Sequence, residues 1–575
     1  MFEKGIGLFE YICRMQKTSI LFVILLTSII TSFAQPLTDV QKLSSLARVW
    51  GFLKYYHPVI AKGKYNWDAE LIKEIPLIRA SNNKEELSST YIKWINSFGK
   101  VKLCKSCRNI KDIPDSLKRN LDLEWLNDST TFTPEFSKLL IYIRDNHLEG
   151  RKYYVRPFWF IGAPKFKNEL TYPEMIYPEA EYRLLCLFRY WNFINYFYPY
   201  KYAIGKDWKE TLNEMISKFD QAKDTTEYHL AITELVANVY DGHERFGDRY
   251  TAKHFGLKIP PFYCKIIDSL FIVESTNYDS LCKIDDIKIG DVITKFNNKK
   301  ISERLKEEKK YMSGSNDATI LRNFYPQLSS DSDTCQITFI RNDIERSKFI
   351  HLYSYKLYNK MYYDNLKNKP KTKDSLILPY KELQNNIGYV DMGKLYNNQV
   401  SKMMKLLMKK KAIIFDVRNY PNGTMYNISN YLNPHTVDFA KFTTFDKSFP
   451  GVIKYDGTYI AGSENKNYYK GKVIILCNEW TQSHAEFTCM ALQTAPSAKI
   501  VGSQTAGADG NVVPIYLPGN IQFYMTGLGV YYPDGRETQR VGIVPDIVVK
   551  PTIKGVVGGK DEVLDRAIEF IETGK

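Results

Sequence analysis

The chain has 575 residues, 44% of them hydrophobic and 25% charged, an ordinary globular composition too long for one core and suited to roughly two to four domains. Net charge is +15, yet lysines and acidic residues are interleaved almost everywhere, and the densest basic run, 405–411, reads as a solvated helix end before an apolar strand. No zinc-finger spacing, P-loop or RNA-binding signature accompanies it, so nucleic acid is excluded as a partner.

Taken in chain order, the first feature is an export signal. From Met15 a basic residue precedes an apolar segment over 20–30, followed by Ser32-Phe33-Ala34 before Gln35. A short hydrophobic region ending in small-x-small is the pattern of a cleaved signal peptide rather than a membrane span. Residues 1–34 are therefore expected to be removed, with Met15 as the true start. Cys13 lies before the apolar segment, which argues against a lipoprotein anchor. No later stretch is apolar enough to cross a bilayer. The mature protein is expected outside the cytoplasm, periplasmic or extracellular, on a bacterial plan.

Residues 35–180 open with a segment that recurs. Leu46, Arg48, Trp50, Phe52, Tyr55, Pro58 and Trp67 match Leu187, Arg189, Trp191, Phe193, Tyr196, Pro199 and Trp208 without a gap, at a constant offset of 141 residues. Each copy predicts a helix with an aromatic stripe, a Tyr-x-x-Pro stop, and a second helix opened by tryptophan. Aromatics at helical spacing read as core. Between the copies, Cys104-Lys-Ser-Cys107 could be a local disulfide, a redox pair or half a zinc site. A small structural disulfide fits an exported protein best. Asp115, Pro134 and the basic-aromatic run 152–160 have no role legible in the sequence.

The second copy occupies residues 181–254. It continues into an amphipathic helix over 227–239 and ends in Tyr240-Asp-Gly-His-Glu-Arg-Phe246. His243 in that polar turn could be a structural histidine, or the imidazole that a hydroxyl nucleophile needs as proton acceptor.

Residues 255–345 read as a small β-rich domain. A Gly290-Asp291 turn feeds the alternating strand 292–296, and Asn297-Asn298 turns back into Ile301. Cys264, Cys282 and Cys335 lie within it, so one disulfide is possible there.

Residues 346–575 alternate strands and helices, the pattern of a mostly parallel sheet covered by helices. The apolar run 412–415 leads through Asp416 and Arg418 into a polar turn at Gly423. A second apolar run, Lys472 to Cys477, precedes Ser483, after which Ala485, Cys489, Met490, Leu492 and Ala495 recur at helical spacing. Cys477 and Cys489 read as buried fillers. Ser483 at the start of this helix could be a simple cap. The other reading is a nucleophile beside unpaired N–H groups that stabilise an oxyanion, although local sequence alone favours the cap.

A resemblance bears on that choice. Thr481-Gln-Ser-His-Ala-Glu486 after an apolar strand resembles the nucleophile segment of the C-terminal-processing (tail-specific) and tricorn-core serine peptidases. The likeness runs from about residue 182 to the C-terminus. It implies Ser483 as nucleophile and His243, in the Asp-Gly-His element ending the helical cap, as general base. Segment 412–423 resembles the family's Asp-Leu-Arg-x-Asn-x-Gly-Gly turn. This implies an oxyanion hole from the N–H of Gly423, or the peptide at Asn422, together with the N–H of His484. Asp416 and Arg418 would then brace the turn as an ion pair. The His484 ring, about 100° round the helix from Ser483, is expected to line the pocket.

Residues 500–510 resemble the Val-Gly-x-x-Thr-x-Gly-x-Gly segment, but Ala508 stands where the tail-specific branch carries its general-base lysine. Lys499 opens a strand and is expected to be solvated. The missing lysine places the chain nearer the tricorn-like branch. Residues 533–546 resemble the terminal Gly-Val-x-Pro-Asp element, where that branch has a glutamate supporting the histidine. Here the position is Gln539, with Glu537 two residues earlier. Either Gln539 orients the imidazole or Glu537 reaches it, and Gln539 is the better fit in position. Asp534-Gly535 reads as a hairpin turn. Residues 287–301 resemble the Gly-Asp-x-Ile turn and strand of PDZ domains, which take extended peptides by strand addition.

The expected whole is a multidomain α+β protein. It has a helical N-terminal cap, a small β-rich PDZ-like domain, and a C-terminal α/β catalytic domain of the tail-specific protease (ClpP/crotonase-like) type. The implied activity is that of an exported serine endopeptidase acting through an acyl-enzyme. The alternative is a catalytically inactive relative that binds peptide or cell-wall material. The implied partner is a peptide or protein substrate, with no metal, no organic cofactor and no stable membrane anchor after signal cleavage. Substrate preference and oligomeric state stay open.

Overall fold

The computed structural model describes residues 36–159, 161–276, 278–324, 328–368 and 378–575. The expected signal peptide, residues 1–34, lies outside the described residues.

Three helices open the described residues: α1 (Asp39–Tyr56), α2 (Trp67–Ala80) and α3 (Lys84–Ser97). Thr38 starts α1 with a capping box, and Asn66 and Asn83 cap the next two, so each start is written in the sequence. After α4 (Pro134–Asp145) the arrangement recurs as α5 (Ala180–Phe197), α6 (Trp208–Asp220) and α7 (Thr225–Ala237). Starts at 39, 67 and 84 become starts at 180, 208 and 225, so the 141-residue offset extends to a third helix that the matching residues do not reach.

Each copy is closed by the same clasp. Trp50 Nε1 donates to the carbonyl of Trp67 and Trp67 Nε1 to that of Trp50, both at 3.0 Å. Trp191 and Trp208 exchange the same pair of bonds at 2.9 and 3.0 Å. A buried indole N–H needs an acceptor, and here each indole also satisfies a buried carbonyl. The copies meet where α1 approaches α5: a Cβ on Gly51 would lie 1.8 Å from Asn192 Oδ1, and Asn192 Nδ2 donates to Ala47 O at 3.0 Å. Gly51 and Asn192 occupy the same position in the repeat, so one copy gives up a side chain to receive the other's.

The second unit is an antiparallel sheet of β1 (Phe262–Ile267), β2 (Leu270–Thr276), β3 (Val292–Phe296), β4 (Lys299–Lys300), β5 (Thr334–Arg341) and β6 (Ile344–His351). The order is β1-β2-β3-β5-β6, with β4 paired to β3. Asn297 and Asn298 both adopt positive φ (48° and 61°), the two-residue turn that the Asn-Asn pair suggests. Cys264, Cys282 and Cys335 are free thiols, so the disulfide that the sequence allows here does not form. They sit on separate elements, β1, a short helix (Asp279–Ile284) and β5. The disulfide is instead the local Cys104–Cys107 bridge.

The C-terminal part is built on a six-stranded sheet of β7 (Tyr380–Leu383), β8 (Ile387–Asp391), β9 (Ala412–Asp416), β12 (Lys472–Cys477), β13 (Ala498–Gly502) and β17 (Ile547–Val548). Only β7 runs antiparallel to its neighbour. Between these lie β10 (Val437–Phe445), β11 (Ile453–Ala461), the hairpin β14 (Val512–Leu517) and β15 (Ile521–Thr526), and β16 (Val530–Tyr531). β9 and β12 are buried on both faces, as continuous apolar runs in a helix-covered parallel sheet should be. Helices α8 (Asn397–Leu407), α9 (Met425–Leu432) and α10 (His484–Leu492) cover one face, and α11 (Glu562–Thr573) covers the other.

The hairpin β14–β15 joins the two ends of the molecule. Its Val513, Ile515, Phe523 and Met525 belong to the same hydrophobic core as the repeat helices. The second copy is thereby packed onto the part of the chain that carries Ser483. No helix among the described residues is long and apolar enough to cross a membrane.

Candidate active site

Ser483 lies in the turn between the buried strand β12 and α10. Its backbone is left-handed, with φ 58° and ψ −123°. An ordinary N-cap is extended, and a non-glycine residue held here costs on the order of 1–3 kcal/mol. Several bonds hold it in place. Ser483 N–H donates to Ala508 O at 2.8 Å and to Glu486 Oε2 at 3.2 Å. Glu486 also accepts from the N–H groups of Gly507 (2.8 Å) and Ala508 (3.0 Å) and from the Thr505 hydroxyl. Burial pushes the Glu486 carboxyl up, and those hydrogen bonds oppose the rise. Below the turn, the Thr481 hydroxyl donates to Val417 O at 2.8 Å.

Gly423 and His484 stand beside this turn. Gly423 has φ 71°, and a Cβ there would lie 3.8 Å from His484 Nε2. The N–H groups of both residues donate to no partner among the described residues. Arg418 braces the preceding strand end, pairing with Asp416 at 2.7 Å and reaching on to Asp561 at 2.6 Å. Lys499 pairs with Asp546 at 3.0 Å on the surface. The His484 ring lines the cavity above the turn, and burial lowers its pKa.

His243 comes after α7, where the chain is turned by Tyr240 at φ 55°. Its ring is 10% exposed. Nδ1 lies 2.9 Å from Thr526 Oγ1 at the end of β15 and 3.6 Å from Asp241 Oδ1. Asp241 is completely buried and accepts from His243 N–H at 3.0 Å and Thr526 N–H at 3.2 Å. Burial works against its charge, but His243 and the Thr526 side chain outweigh that and hold the carboxyl below the usual range. His243 Nε2 is buried and has no hydrogen-bond partner among the described residues. Ser483, His243 and His484 line one cavity of about 1030 Å³. Phe442 and Tyr459 add an apolar wall, and Arg245 and Arg322 add positive charge.

The two residues expected to support the histidine are elsewhere. Gln539 is buried and donates to the Tyr198 hydroxyl at 3.1 Å. Glu537 pairs with Arg119 at 2.8 Å. Neither is a partner of His243, so the expectation for both is corrected: β15 brings Thr526 to Nδ1, and the tight Asp-Gly-His turn brings Asp241. Asp241 is visible in the motif but carries no assigned role there. Thr526 has no sequence signal, because only the packing of β15 onto the second repeat copy, with Phe523 against Tyr190 of α5 and against Phe246, places it.

Residues 386–549 match the model described as Peptidase family S41. This chain carries a Peptidase family S41 domain. Within it lie Gly423, Ser483, His484 and the 500–510 loop, whereas His243 and Asp241 come from outside. A carboxy-terminal-processing protease of Bartonella bacilliformis is 26% identical to the chain over 156 residues, 27% of this chain and 35% of that protein. A nisin-resistance protein of Lactococcus lactis subsp. lactis is 26% identical over 144 residues, 24% of this chain and 45% of that protein. Both alignments therefore span less than half of the relative. The solved structure of mature CPAF complexed with lactacystin aligns with 69% of this chain and 99% of its own length, at a TM-score of 0.52 and 13% identity. At that identity the likeness is one of fold, and it reaches well beyond the S41 domain.

Proposed function

We propose that the chain is an exported serine peptidase that cleaves peptide bonds through an acyl-enzyme on Ser483. In this reading His243 Nε2 accepts the Ser483 proton and returns it to the leaving amine. Asp241 orients the ring and offsets the imidazolium charge, the part assigned from sequence to Gln539 or Glu537. The N–H groups of Gly423 and His484 hold the oxyanion, a contribution typically worth ~10²–10³ in turnover per donor. One observation carries the reading: a strained serine at a strand–helix turn and an imidazole with a free, buried Nε2 line the same cavity.

The domain plan belongs to the same proposal. Residues 35–180 are an N-terminal region with the first copy of the aromatic helical repeat, 181–254 act as the helical cap with the second copy, 255–345 as a PDZ-like domain, and 346–575 as the catalytic domain. Support for the PDZ-like role comes from a second groove of about 800 Å³. It is lined by the edge strand β1 and by Glu479, and it shares Arg322 and Trp480 with the cavity at Ser483. An extended peptide added to β1 would run toward the serine.

Incubating the purified protein with a peptide library tests this. Wild type should cleave, and Ser483→Ala and His243→Ala should each lose nearly all cleavage while keeping the native circular dichroism. Cleavage by neither wild type nor variants, with peptide still bound, would instead establish an inactive peptide-binding relative.

A further inference from the structure

The loop beyond the first repeat copy holds a set of donor groups that the peptidase reading leaves unused. Cys104 and Cys107 are joined as a disulfide. Cys107 Sγ, a ring nitrogen of His147 and a carboxylate oxygen of Glu149 all lie within 4.8 Å of one another. His147 Nδ1 is 2.7 Å from Arg144 O. A carbonyl can only accept, so this nitrogen is the donor of that bond and Nε2 is left facing Glu149 Oε1 at 3.1 Å. The ring is 2% exposed and wedged edge-on against Phe449 and Tyr56, at 5.0 and 6.0 Å between centroids. Arg108 N–H donates to the same Glu149 oxygen at 3.0 Å.

A metal-bound imidazole is normally held in this way, with one nitrogen tied to a backbone carbonyl and the other presented to the ion. Cys-x-x-Cys supplies two more ligands at the spacing common in structural zinc sites. Two thiolates, an imidazole and a carboxylate suit Zn²⁺ better than the harder Mg²⁺ or Ca²⁺. Bond lengths of about 2.0 Å to nitrogen and 2.3 Å to sulfur put tetrahedral ligands roughly 3.3–3.8 Å apart. The Cys107, His147 and Glu149 donors therefore need to close by only about an ångström, and the two sulfurs move apart once the bond between them is reduced.

We propose that Cys104, Cys107, His147 and Glu149 form a zinc site that the disulfide locks shut. An external dithiol opens it: two electrons and two protons pass to the sulfur pair, giving two thiols and the reductant's own disulfide. Zn²⁺ then binds two thiolates, His147 Nε2 and the Glu149 carboxylate, and the two thiol protons leave to solvent together with the proton shared between Nε2 and Glu149. The loop is tied to the segment after β10 by the Arg108–Asp446 pair at 2.6 Å and by Lys152 Nζ donating to Lys447 O at 3.0 Å.

Full-length protein, reduced with a dithiol without oxygen and then freed of it, is titrated with Co²⁺ as the spectroscopic probe. About one Co²⁺ per chain should bind, with intense thiolate-to-cobalt charge transfer and the visible bands of a tetrahedral ion, and Zn²⁺ should displace it. Oxidised protein should bind none. His147→Gln and Glu149→Gln should each weaken binding at least about tenfold, since even changes outside a metal's first ligands cost that much. Glu149, being less buried, is the variant that decides if His147→Gln fails to fold. Unchanged affinity in Glu149→Gln, or no cobalt taken up by reduced wild type of native circular dichroism, overturns the proposal.

Discussion

The two copies of the aromatic helical repeat share a skeleton and differ in the segment attached to its third helix. Both have three helices in identical register, and both are closed by a reciprocal tryptophan clasp. Past the third helix, the second copy turns through Asp241 and His243, while the same register in the first copy passes Lys100 and Lys102 on the way to the Cys104–Cys107 loop. Glu244 is completely buried, and its counterpart Leu103 is 69% exposed. Buried charge is distributed unequally as well. Arg189 is fully buried and pairs with Asp68 at 2.6 Å and Glu169 at 3.1 Å. Its counterpart Arg48 lies over the Trp125 ring, 4.7 Å from the centroid. Clasp and helix register thus set the fold of the module, and the segment after it is free to take on different chemistry.

The largest effects should separate the copies completely. His243→Ala is expected to lower turnover by roughly 10⁴-fold or more, as loss of a positioned general base can do. Lys102→Ala, at the same register in the first copy, should leave turnover unchanged. Asp241→Asn should lower kcat by roughly 10²–10⁴ with little change in KM, because it disturbs the ring's tautomer and not substrate contacts. Steady-state kinetics on a cleaved library peptide measures all three. A large loss in Lys102→Ala would break the assignment of chemistry to the second copy alone.

A smaller effect tests where the copies meet. Gly51→Ala places a methyl group against Asn192 in a closed interface and should destabilise the protein by about 1–3 kcal/mol. Adding Asn192→Ala should recover part of that loss, since the two changes share one space. Independent, additive losses in denaturant unfolding would show that the helices do not rely on this contact. Trp67→Phe and Trp208→Phe come next, each leaving a buried carbonyl without its donor at a cost of about 1–3 kcal/mol. Equal losses in the two variants would support one clasp used twice, and a loss in only one would refute it.

Much of this plan is legible in the sequence. Trp50, Trp67, Trp191 and Trp208 announce the duplication, because aromatics at helical spacing have to be core. Apolar runs at 412–415 and 472–477 announce the central strands, and the Ser483 segment announces the turn between sheet and helix. Physical proximity of distant segments is not legible. Thr526 reaches His243 because β14–β15 is absorbed into the repeat core, a packing outcome with no local pattern. Likeness of segment puts Gln539 near the imidazole, yet its amide turns to Tyr198. The Cys-x-x-Cys pair can be read three ways because His147 and Glu149, which complete its surroundings, lie some forty residues on.

The subtlest difference between the copies is one of protons. Burial, then the charge of Asp241, pushes the Glu244 carboxyl well above its ordinary value, although the Tyr190 hydroxyl donates to it and pulls the other way. Asp241 beside it is held low, so the pair keeps its proton on Glu244. A group whose folded pKa is raised binds more protons folded than unfolded, so its stabilising share is complete below its unfolded value. That share shrinks as pH rises from about 4.3 toward the folded value. Glu244→Gln, neutral at every pH and able to accept from Tyr190, should therefore flatten the decline of Tm on the alkaline side of that point. Asp241 acts with the opposite sign, its share being lost as pH falls below about 3.9. Leu103→Gln in the first copy should leave the Tm–pH curve as it is. A Glu244→Gln curve parallel to wild type would mean that the buried acid does not carry this proton, and the electrostatic contrast between the copies would fall with it.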